Sequence, residues 1–246
     1  MADELVEPQN IIVRPTHCHA VQACAIIACM PGRKIGQGTL FEGREVIDVP
    51  ENDSLDLILE QLKASPCGEC KPGMPLIFGE GPAPSDIMLV GEGAGLDDVG
   101  PQRPFQGPSG VMLERMMGSI GVRVSNCYTT NVIKCIPPRE RNFTIEEIEA
   151  CRPFLLRQIL AVDPQMIIAF GALAAQTILR SRLSISNLRG RVFDFVINER
   201  RIVLVPTFNP AYLMRVPEKK REAWEDLKRV REMMKGIEFI HFITTG

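Results

Sequence analysis

The stretch D-I-M-L-V-G-E-G-A-G-L-D-D at residues 86–98 decides the fold. Its apolar start predicts a short buried strand, and the glycines that follow predict a tight turn. Apolar runs at 128–133 and 166–170 predict two further strands, and the segments between the runs have helical spacing. This alternation is typical of a three-layer α/β domain with a mainly parallel sheet, in which ligands bind beyond the carboxyl ends of the strands.

Local signals mark where several elements begin and end. Thr144 and Glu147 form a capping box that starts a long helix at 144–162, because each side chain accepts a hydrogen bond from an orphan backbone amide. Asn198 and Glu199 predict the turn of a β-hairpin. The strands of that hairpin are expected at 191–197 and 201–205, and the remaining helices at 55–62, 109–120, 172–180 and 218–235.

The composition excludes several classes of protein. The chain has 246 residues, of which 45% are hydrophobic and 24% charged, and these ordinary globular values exclude disordered and fibrous proteins. Lys and Arg number 28 against 30 Asp and Glu, so the net charge of -2 excludes a strongly basic DNA-coating protein. A local basic face for nucleic acid is still compatible with this total.

No segment has the pattern of a membrane span or an export signal. The longest apolar run covers residues 23–30 and is far shorter than the roughly 18 residues that a span requires. The N-terminus is acidic and lacks the basic start of a secretory signal. Eight cysteines without an export signal favour thiol, metal or cluster chemistry over disulfides, so we expect a cytoplasmic protein.

Four of the cysteines have spacing that suits one metal site. Cys67 and Cys70 form a C-x2-C knuckle, Cys135 follows a predicted strand, and Cys151 lies on the next predicted helix. Four such thiolates can surround a tetrahedral metal or the corners of a [4Fe-4S] cube. Spacing alone does not separate zinc from iron–sulfur, and Cys135 and Cys151 could instead be small core residues.

Polar and aromatic residues follow the predicted strands, where a ligand would bind. Glu92 and Asp98 lie in the glycine-rich turn, which departs from the dinucleotide pattern G-x-G-x-x-G at Leu96. Phe105 lies in the loop before the next helix, and Asn131 lies inside an apolar strand. Each feature alone is also compatible with an ordinary turn, a core phenylalanine or an amide that ties down a loop.

Taken together and in this order, the segments G-E-G-A-G, R-P-F-Q-G-P-S-G, N-V-I-K-C-I-P-P and N-P-A-Y-L-M-R resemble the iron–sulfur-containing family four of the uracil-DNA glycosylase superfamily. Members of that family carry G-E-x-P-G, R-P-F-x-G-x-x-G, N-V-x-K-C-x-P-P and H-P-x-Y-L-L-R. The resemblance covers residues 55–235. It implies a three-layer α/β/α fold with a central, mainly parallel sheet of four strands.

The resemblance also implies an activity, a cofactor and a domain organisation. The activity is that of a monofunctional DNA glycosylase, which hydrolyses the N-glycosidic bond of uracil or a related deaminated base in DNA and initiates base excision repair. The cofactor is a [4Fe-4S] cluster, with zinc as the alternative, on Cys67, Cys70, Cys135 and Cys151. The glycosylase domain would span 55–238, between an extension of unknown role at 1–54 and a tail at 239–246. The expected partner is DNA containing such a base, with no membrane involved, and the expected state is a monomer.

The roles of the family's residues carry over to matching positions. By resemblance, Phe105 would stack on the flipped uracil, Asn131 would read its pyrimidine edge, and backbone amides near Gly93 would contact the base. Glu92 and Asp98 would position the water or stabilise the cationic sugar.

Contacts with the DNA helix follow from the last segment. Tyr212, Leu213 and Met214 would form a wedge at the vacated site. Arg215, together with Arg139 and Arg141, would contact phosphates.

Asn209 is the main departure from the family pattern, because the family has a catalytic His there. That His donates a hydrogen bond to uracil O2 as the leaving base becomes an anion, and an Asn amide can also donate. We therefore expect an activity that is slower or shifted towards other deaminated bases or mispairs. The alternatives are a glycosylase-fold module that binds damaged DNA with little or no turnover, and a cluster-binding redox or regulatory protein that shares only the scaffold.

Overall fold

The computed structural model describes residues 49–50, 52–64, 75–136 and 142–237. The described strands are β1 (Ile87–Gly91), β2 (Tyr128–Asn131), β3 (Met166–Phe170), β4 (Phe193–Ile197) and β5 (Arg200–Thr207). The described helices are α1 (Leu55–Ala64), α2 (Gly107–Gly118), α3 (Ile145–Val162), α4 (Ala172–Leu179), α5 (Ile185–Leu188), α6 (Pro210–Arg215) and α7 (Lys220–Met234).

The strands form one sheet in the order β2-β1-β3-β5-β4. The first three neighbouring pairs are parallel, and β4 pairs antiparallel with β5. The mainly parallel sheet is confirmed, and all five strands indicated by the local sequence pattern are present, so the count of four strands that the resemblance implies is wrong by one. The fifth strand is β4, because the tight turn at Asn198 and Glu199, both with positive φ, lets β4 pair with β5 along its whole length.

Two hydrophobic cores lie on opposite faces of the sheet. Ile87 and Leu89 of β1 pack into a core with α2, α6 and α7, whereas Met88 and Val90 pack into a core with α3 and α4. This alternation follows from the two-residue period of a strand. All residues of β1 and β3 are buried, as expected of parallel strands covered by helices on both faces. The predicted three-layer α/β/α architecture is confirmed.

The long helix α3 begins where the sequence predicts. Thr144 Oγ1 accepts a hydrogen bond from Glu147 N at 3.3 Å, and Thr144 N donates to Glu147 Oε2 at 2.7 Å. The capping box satisfies two orphan amides at the start of α3, which carries Cys151 towards the core.

The proposed flanking segments lie largely beyond the described part of the chain. Residues 1–48 of the extension and the whole tail at 239–246 are outside it, so the domain limits stay predictions. Among the described residues, no helix is long and apolar enough to cross a membrane.

Candidate active site

The carboxyl ends of the parallel strands bring the candidate site residues to one edge of the sheet. Gly91, the last residue of β1, pairs with Asn131, the last residue of β2. The chain beyond β2 continues along the turn, since Val132 N donates to Gly91 O at 2.9 Å and Ile133 N donates to Glu92 O at 3.1 Å. These bonds fix the turn after β1 relative to Asn131, although β2 itself ends two residues earlier than predicted.

Gly91 leaves room for two larger side chains at this edge. A Cβ atom at Gly91 would lie 2.2 Å from Asn131 Oδ1 and 2.6 Å from Phe105 Cζ. Phe105 has a positive φ of 55° and packs edge-on against Phe170 at the end of β3, with ring centroids 6.1 Å apart. A residue without a side chain is therefore what allows the Asn131 amide and the Phe105 ring to meet.

The Asn131 amide is buried with an unused donor. The residue is 2% exposed, and Nδ2 has no hydrogen-bond partner among the described residues. A buried donor without a partner costs free energy, so such groups in native proteins call for an explanation. A ligand atom that accepts a hydrogen bond would supply the missing partner.

A buried lysine donates a hydrogen bond to the backbone of Asn131. Lys134 is fully buried, and its Nζ donates to Asn131 O at 2.6 Å, to Thr130 Oγ1 at 2.7 Å and to Gln158 Oε1. Desolvation lowers the pKa of Lys134 to about 7. Lys134 and Gln158 were not among the predicted site residues, yet a lysine inside the apolar run N-V-I-K-C is a signal that this residue is buried and hydrogen-bonded.

Glu92 lies across the site from Asn131, against the start of α4. Its Oε1 accepts from Leu173 N at 2.9 Å, and a Cβ atom on Gly171 would lie only 2.5 Å from the carboxylate. Burial raises the pKa of the Glu92 carboxyl above its ordinary value. Opposing but smaller effects lower this pKa: hydrogen bonds from Leu173, Asn209 and Ala172, and the charge of Arg215. The sheet edge therefore holds a carboxylate that is partly withdrawn from water.

Asn209 caps α6 and also faces Glu92. Its Oδ1 accepts from Ala211 N at 2.9 Å, which fixes the orientation of the amide group. Its Nδ2 then points to Glu92 Oε2 at 3.4 Å and to Phe170 O at 3.5 Å. Both contacts are long, so this donor is available to a stronger acceptor.

Asp98 holds a loop in place with both of its oxygens. Oδ1 accepts from Gln106 N at 2.6 Å, and Oδ2 accepts from Gly95 N at 2.9 Å. The residue is 4% exposed, and burial raises the pKa of its carboxyl while these two hydrogen bonds lower it. Asp98 thus fixes the loop that carries Phe105. Its expected contact with water or sugar stays a prediction.

A second aromatic ring lies against the backbone at Gly93. A Cβ atom there would lie 2.2 Å from Cζ of Phe143. Phe143 was not among the predicted site residues, because nothing in its local sequence pattern separates it from an ordinary loop residue. Gly93, like Gly91, is a position where a ring packs directly on the main chain.

The predicted wedge is divided between core and surface. Leu213 is 1% exposed and packs in the core with α2 and α7, while Met214 is 41% exposed. Tyr212 is half-buried and packs on Phe208 with centroids 5.2 Å apart, and Arg215 is exposed. The surface available to a partner on α6 therefore consists of Met214 and Arg215, with Tyr212 and Leu213 behind them.

Two of the four candidate metal ligands are described, and both are buried. Cys135 and Cys151 are 2% and 1% exposed and belong to the same hydrophobic core. Cys67 and Cys70 lie outside the described residues, as do Arg139 and Arg141. The part of the chain that is described contains no group of three or more metal-binding side chains, as expected when half of a four-cysteine set falls outside it.

Comparisons with known proteins agree with this arrangement. The family model of the uracil DNA glycosylase superfamily matches residues 78–228. A type-4 uracil-DNA glycosylase of Archaeoglobus fulgidus is 32% identical over 182 residues, which are 72% of this chain and 92% of that protein. The corresponding protein of Thermotoga maritima is 36% identical over 163 residues, 65% of this chain and 83% of that protein. The type-4 uracil-DNA glycosylase of Sulfurisphaera tokodaii is 33% identical over 189 residues, which are 74% of this chain and 85% of that protein. The chain belongs to the uracil DNA glycosylase superfamily.

Proposed function

We propose that this protein is a monofunctional DNA glycosylase that hydrolyses the N-glycosidic bond of uracil, or of a related deaminated base, in DNA and so initiates base excision repair. The observation that carries the proposal is the buried Nδ2 of Asn131, which has no partner within the described part of the chain and lies beside the Phe105 ring, at the sheet edge that also holds Glu92 and Asn209. The names of the type-4 relatives support the same activity.

Asn131 supplies the hydrogen-bonding pattern that uracil requires. Uracil offers an acceptor at O4 and a donor at N3–H, which complement Nδ2 and Oδ1 of one amide. Cytosine reverses both groups, so it would leave donor facing donor and acceptor facing acceptor. The base must leave the duplex to reach a buried amide, and Phe105 would stack on it there. Gly91 and Gly93 would let the main chain approach the base.

Glu92 and Asn209 stabilise the two charges that develop as the bond breaks. The sugar becomes cationic at C1′, and a nearby carboxylate lowers that barrier electrostatically. The base leaves as an anion, and Asn209 Nδ2 can donate to its O2. Removing one such donor lowers the rate by about 10²- to 10³-fold. Asn209 keeps a donor at this position, so the rate should be reduced by less than an apolar residue there would reduce it.

DNA would be bound through local groups, since the chain as a whole is slightly acidic. Met214 is an exposed apolar side chain on α6, the helix that Asn209 caps, and would enter the space that the flipped base vacates. Arg215, which follows it on α6, would contact a phosphate. The phosphate contacts of Arg139 and Arg141, the monomeric state and the cytoplasmic location stay predictions.

A [4Fe-4S] cluster on Cys67, Cys70, Cys135 and Cys151 is part of the proposal. The residues fit the group in one respect that the structure describes: Cys135 and Cys151 are both buried in one core, where thiolates would be shielded from solvent. The cluster, when bound, would supply a structural cross-link, since hydrolysis of the glycosidic bond transfers no electron. Zinc on the same thiolates is the alternative.

The first test is a cleavage assay. Anaerobically purified protein is incubated with labelled single strands and duplexes that contain uracil, hypoxanthine or xanthine, and the products are treated with alkali. We expect strand scission at uracil. Scission at another base alone would keep the reaction and correct the substrate. Folded protein that binds uracil-containing DNA without any scission would replace the proposal by the alternative of a module without turnover.

A matched pair of glycine variants tests the assigned site. Gly91→Ala should lower the single-turnover rate by about 100-fold, because the added methyl displaces both the Asn131 amide and the Phe105 ring. Gly95→Ala is the control in the same turn, since a Cβ there meets nothing within 4 Å. Equal rates for the two variants, with equal melting temperatures, would show that the base binds elsewhere.

The pH dependence of the single-turnover rate should report Glu92. Because burial raises the pKa of this carboxyl, the active carboxylate is lost as pH falls through a value above the ordinary 4.5. The charge of Arg215 lowers the pKa of Glu92, so Arg215→Gln should move this acid limb to higher pH. Arg201→Gln, which removes an exposed arginine paired with Asp194, should leave the limb in place. If the acid limb of the pH profile does not move in Arg215→Gln, then the group that titrates is not Glu92.

Cysteine variants test the cluster with a readout other than activity. Wild-type protein should contain about four iron atoms per chain with the visible absorption of a cluster, and Cys135→Ser or Cys151→Ser should lose most of that iron. Cys127→Ser is the control, because Cys127 is equally buried but is outside the proposed set. Zinc in place of iron would favour the alternative metal. Full iron content in both ligand variants would overturn the assignment.

A further inference from the structure

The end of β5 depends on a carboxylate that the proposed mechanism does not use. Asp226 of α7 is fully buried, and its Oδ2 accepts from Thr207 Oγ1 at 2.8 Å. Thr207 is the last residue of β5 and stands two residues before Asn209. Asp226 therefore holds the strand at the point from which the Asn209 side chain extends.

Arg189 completes the partnership of Asp226 with two parallel hydrogen bonds. Its Nη2 donates to Oδ1 at 2.9 Å, and its Nε donates to Oδ2 at 3.0 Å. A further bond from Nη2 to Glu222 O, at 2.6 Å, attaches the same guanidinium to the backbone of α7. Because two planar groups paired by parallel bonds have one relative orientation, Asp226 presents Oδ2 to Thr207 in a fixed direction.

Arg189 also contacts the residue between Thr207 and Asn209. Its Cζ lies 5.2 Å from the centroid of the Phe208 ring, a cation–π distance. Phe208 is buried and in turn packs against Tyr212 of α6. The pair Arg189–Asp226 thus touches the side chains of both residues that precede Asn209.

Thr207, which Asp226 holds, is also bonded to the backbone against which Glu92 packs. Thr207 O accepts from Gly171 N at 2.8 Å, and Gly171 is the residue packed against the Glu92 carboxylate. Asn209 Nδ2 meets Glu92 through a contact of 3.4 Å, which is too long to set the position of the amide by itself. The relative placement of the two groups therefore depends on the backbone at Thr207, together with the bond from Ala211 N that orients the amide.

We infer that Arg189 and Asp226 are positioning residues, which act through Thr207 and Phe208 to aim the Asn209 amide at the leaving base opposite Glu92. This inference rests on the proposed glycosylase function. A purely stabilising role explains the pair less well, because buried ion pairs are often no more stable than well-packed apolar residues. The two parallel hydrogen bonds between Arg189 and Asp226 fix the direction of the last residues of β5, which an apolar contact would not do.

A double-mutant cycle tests the inference. Thr207→Val removes the hydroxyl that bonds to Asp226 and nearly keeps the shape of the side chain, so it should lower the single-turnover rate on uracil-containing DNA by about 10-fold. Asp226→Asn should lower the rate by about 100-fold, since Arg189 donates to both oxygens of Asp226 and the amide NH2 group would face an Arg189 N–H donor to donor in either orientation. In an Asn209→Ala background, Thr207→Val should change the rate by less than about 2-fold, because the group it aims is gone. DNA affinity should stay unchanged.

A second pair of variants and a spectroscopic signal keep the test independent of folding defects. Arg189→Lys loses the paired bonds, whereas Arg201→Lys is the matched control, because Arg201 of β5 forms an exposed ion pair with Asp194 of β4. The side-chain amide signals of ¹⁵N-labelled Asn209, identified by their loss in Asn209→Ala, should shift in Thr207→Val and Arg189→Lys but not in Arg201→Lys.

The outcomes separate this inference from the proposed function. Equal rate losses from Thr207→Val with and without Asn209, or Asn209 signals that do not move, would overturn the positioning role while glycosylase activity stands. Wild-type protein inactive on every base would overturn the function, and the amide signals would still decide whether the pair holds Asn209.

Discussion

The pairing of Gly91 with Asn131 across the parallel strands β1 and β2 is the constraint on which the site depends. Parallel pairing makes both strands end at one edge, and the register brings a residue without a side chain beside one with an amide. The Phe105 ring can occupy the remaining space only because no Cβ fills it. Site geometry here is thus a direct product of sheet register.

Two ionisable side chains are buried in the cores next to this edge of the sheet, where apolar side chains would be expected. Lys134 and Asp226 are fully buried, and each is bonded to the backbone or hydroxyl of a strand end. Removing a charge from water is costly unless its hydrogen bonds are replaced, and both groups have several partners. The two charges brace the ends of β2 and β5 from opposite faces of the sheet, since Lys134 bonds to α3 through Gln158 and Asp226 belongs to α7.

The sequence predicted most of this frame because its signals are local. The run M-I-I-A-F at 166–170 matches β3 at both ends, and Thr144 with Glu147 forms the predicted cap. Residues whose role depends on distant contacts were not found in this way. Asp226 reads as one charge among many on an amphipathic helix, and Leu213 reads as part of an exposed wedge although it lies in the core. The burial of Leu213 on the short helix α6 is set by tertiary packing, and the partners of Asp226 lie on elements far from it in the sequence, so no local period encodes either role.

The double use of Asn209 restricts how this position can change over time. The same carboxamide starts α6 with its oxygen and directs its nitrogen towards Glu92, so helix initiation and the proposed stabilisation of the leaving base share one residue. An Asp at this position would keep the cap but lose the donor, because an ionised carboxylate only accepts hydrogen bonds. Asn209 therefore meets two requirements at once, and a substitution that keeps only an acceptor for Ala211 N would preserve the start of α6 while removing the donor that faces Glu92.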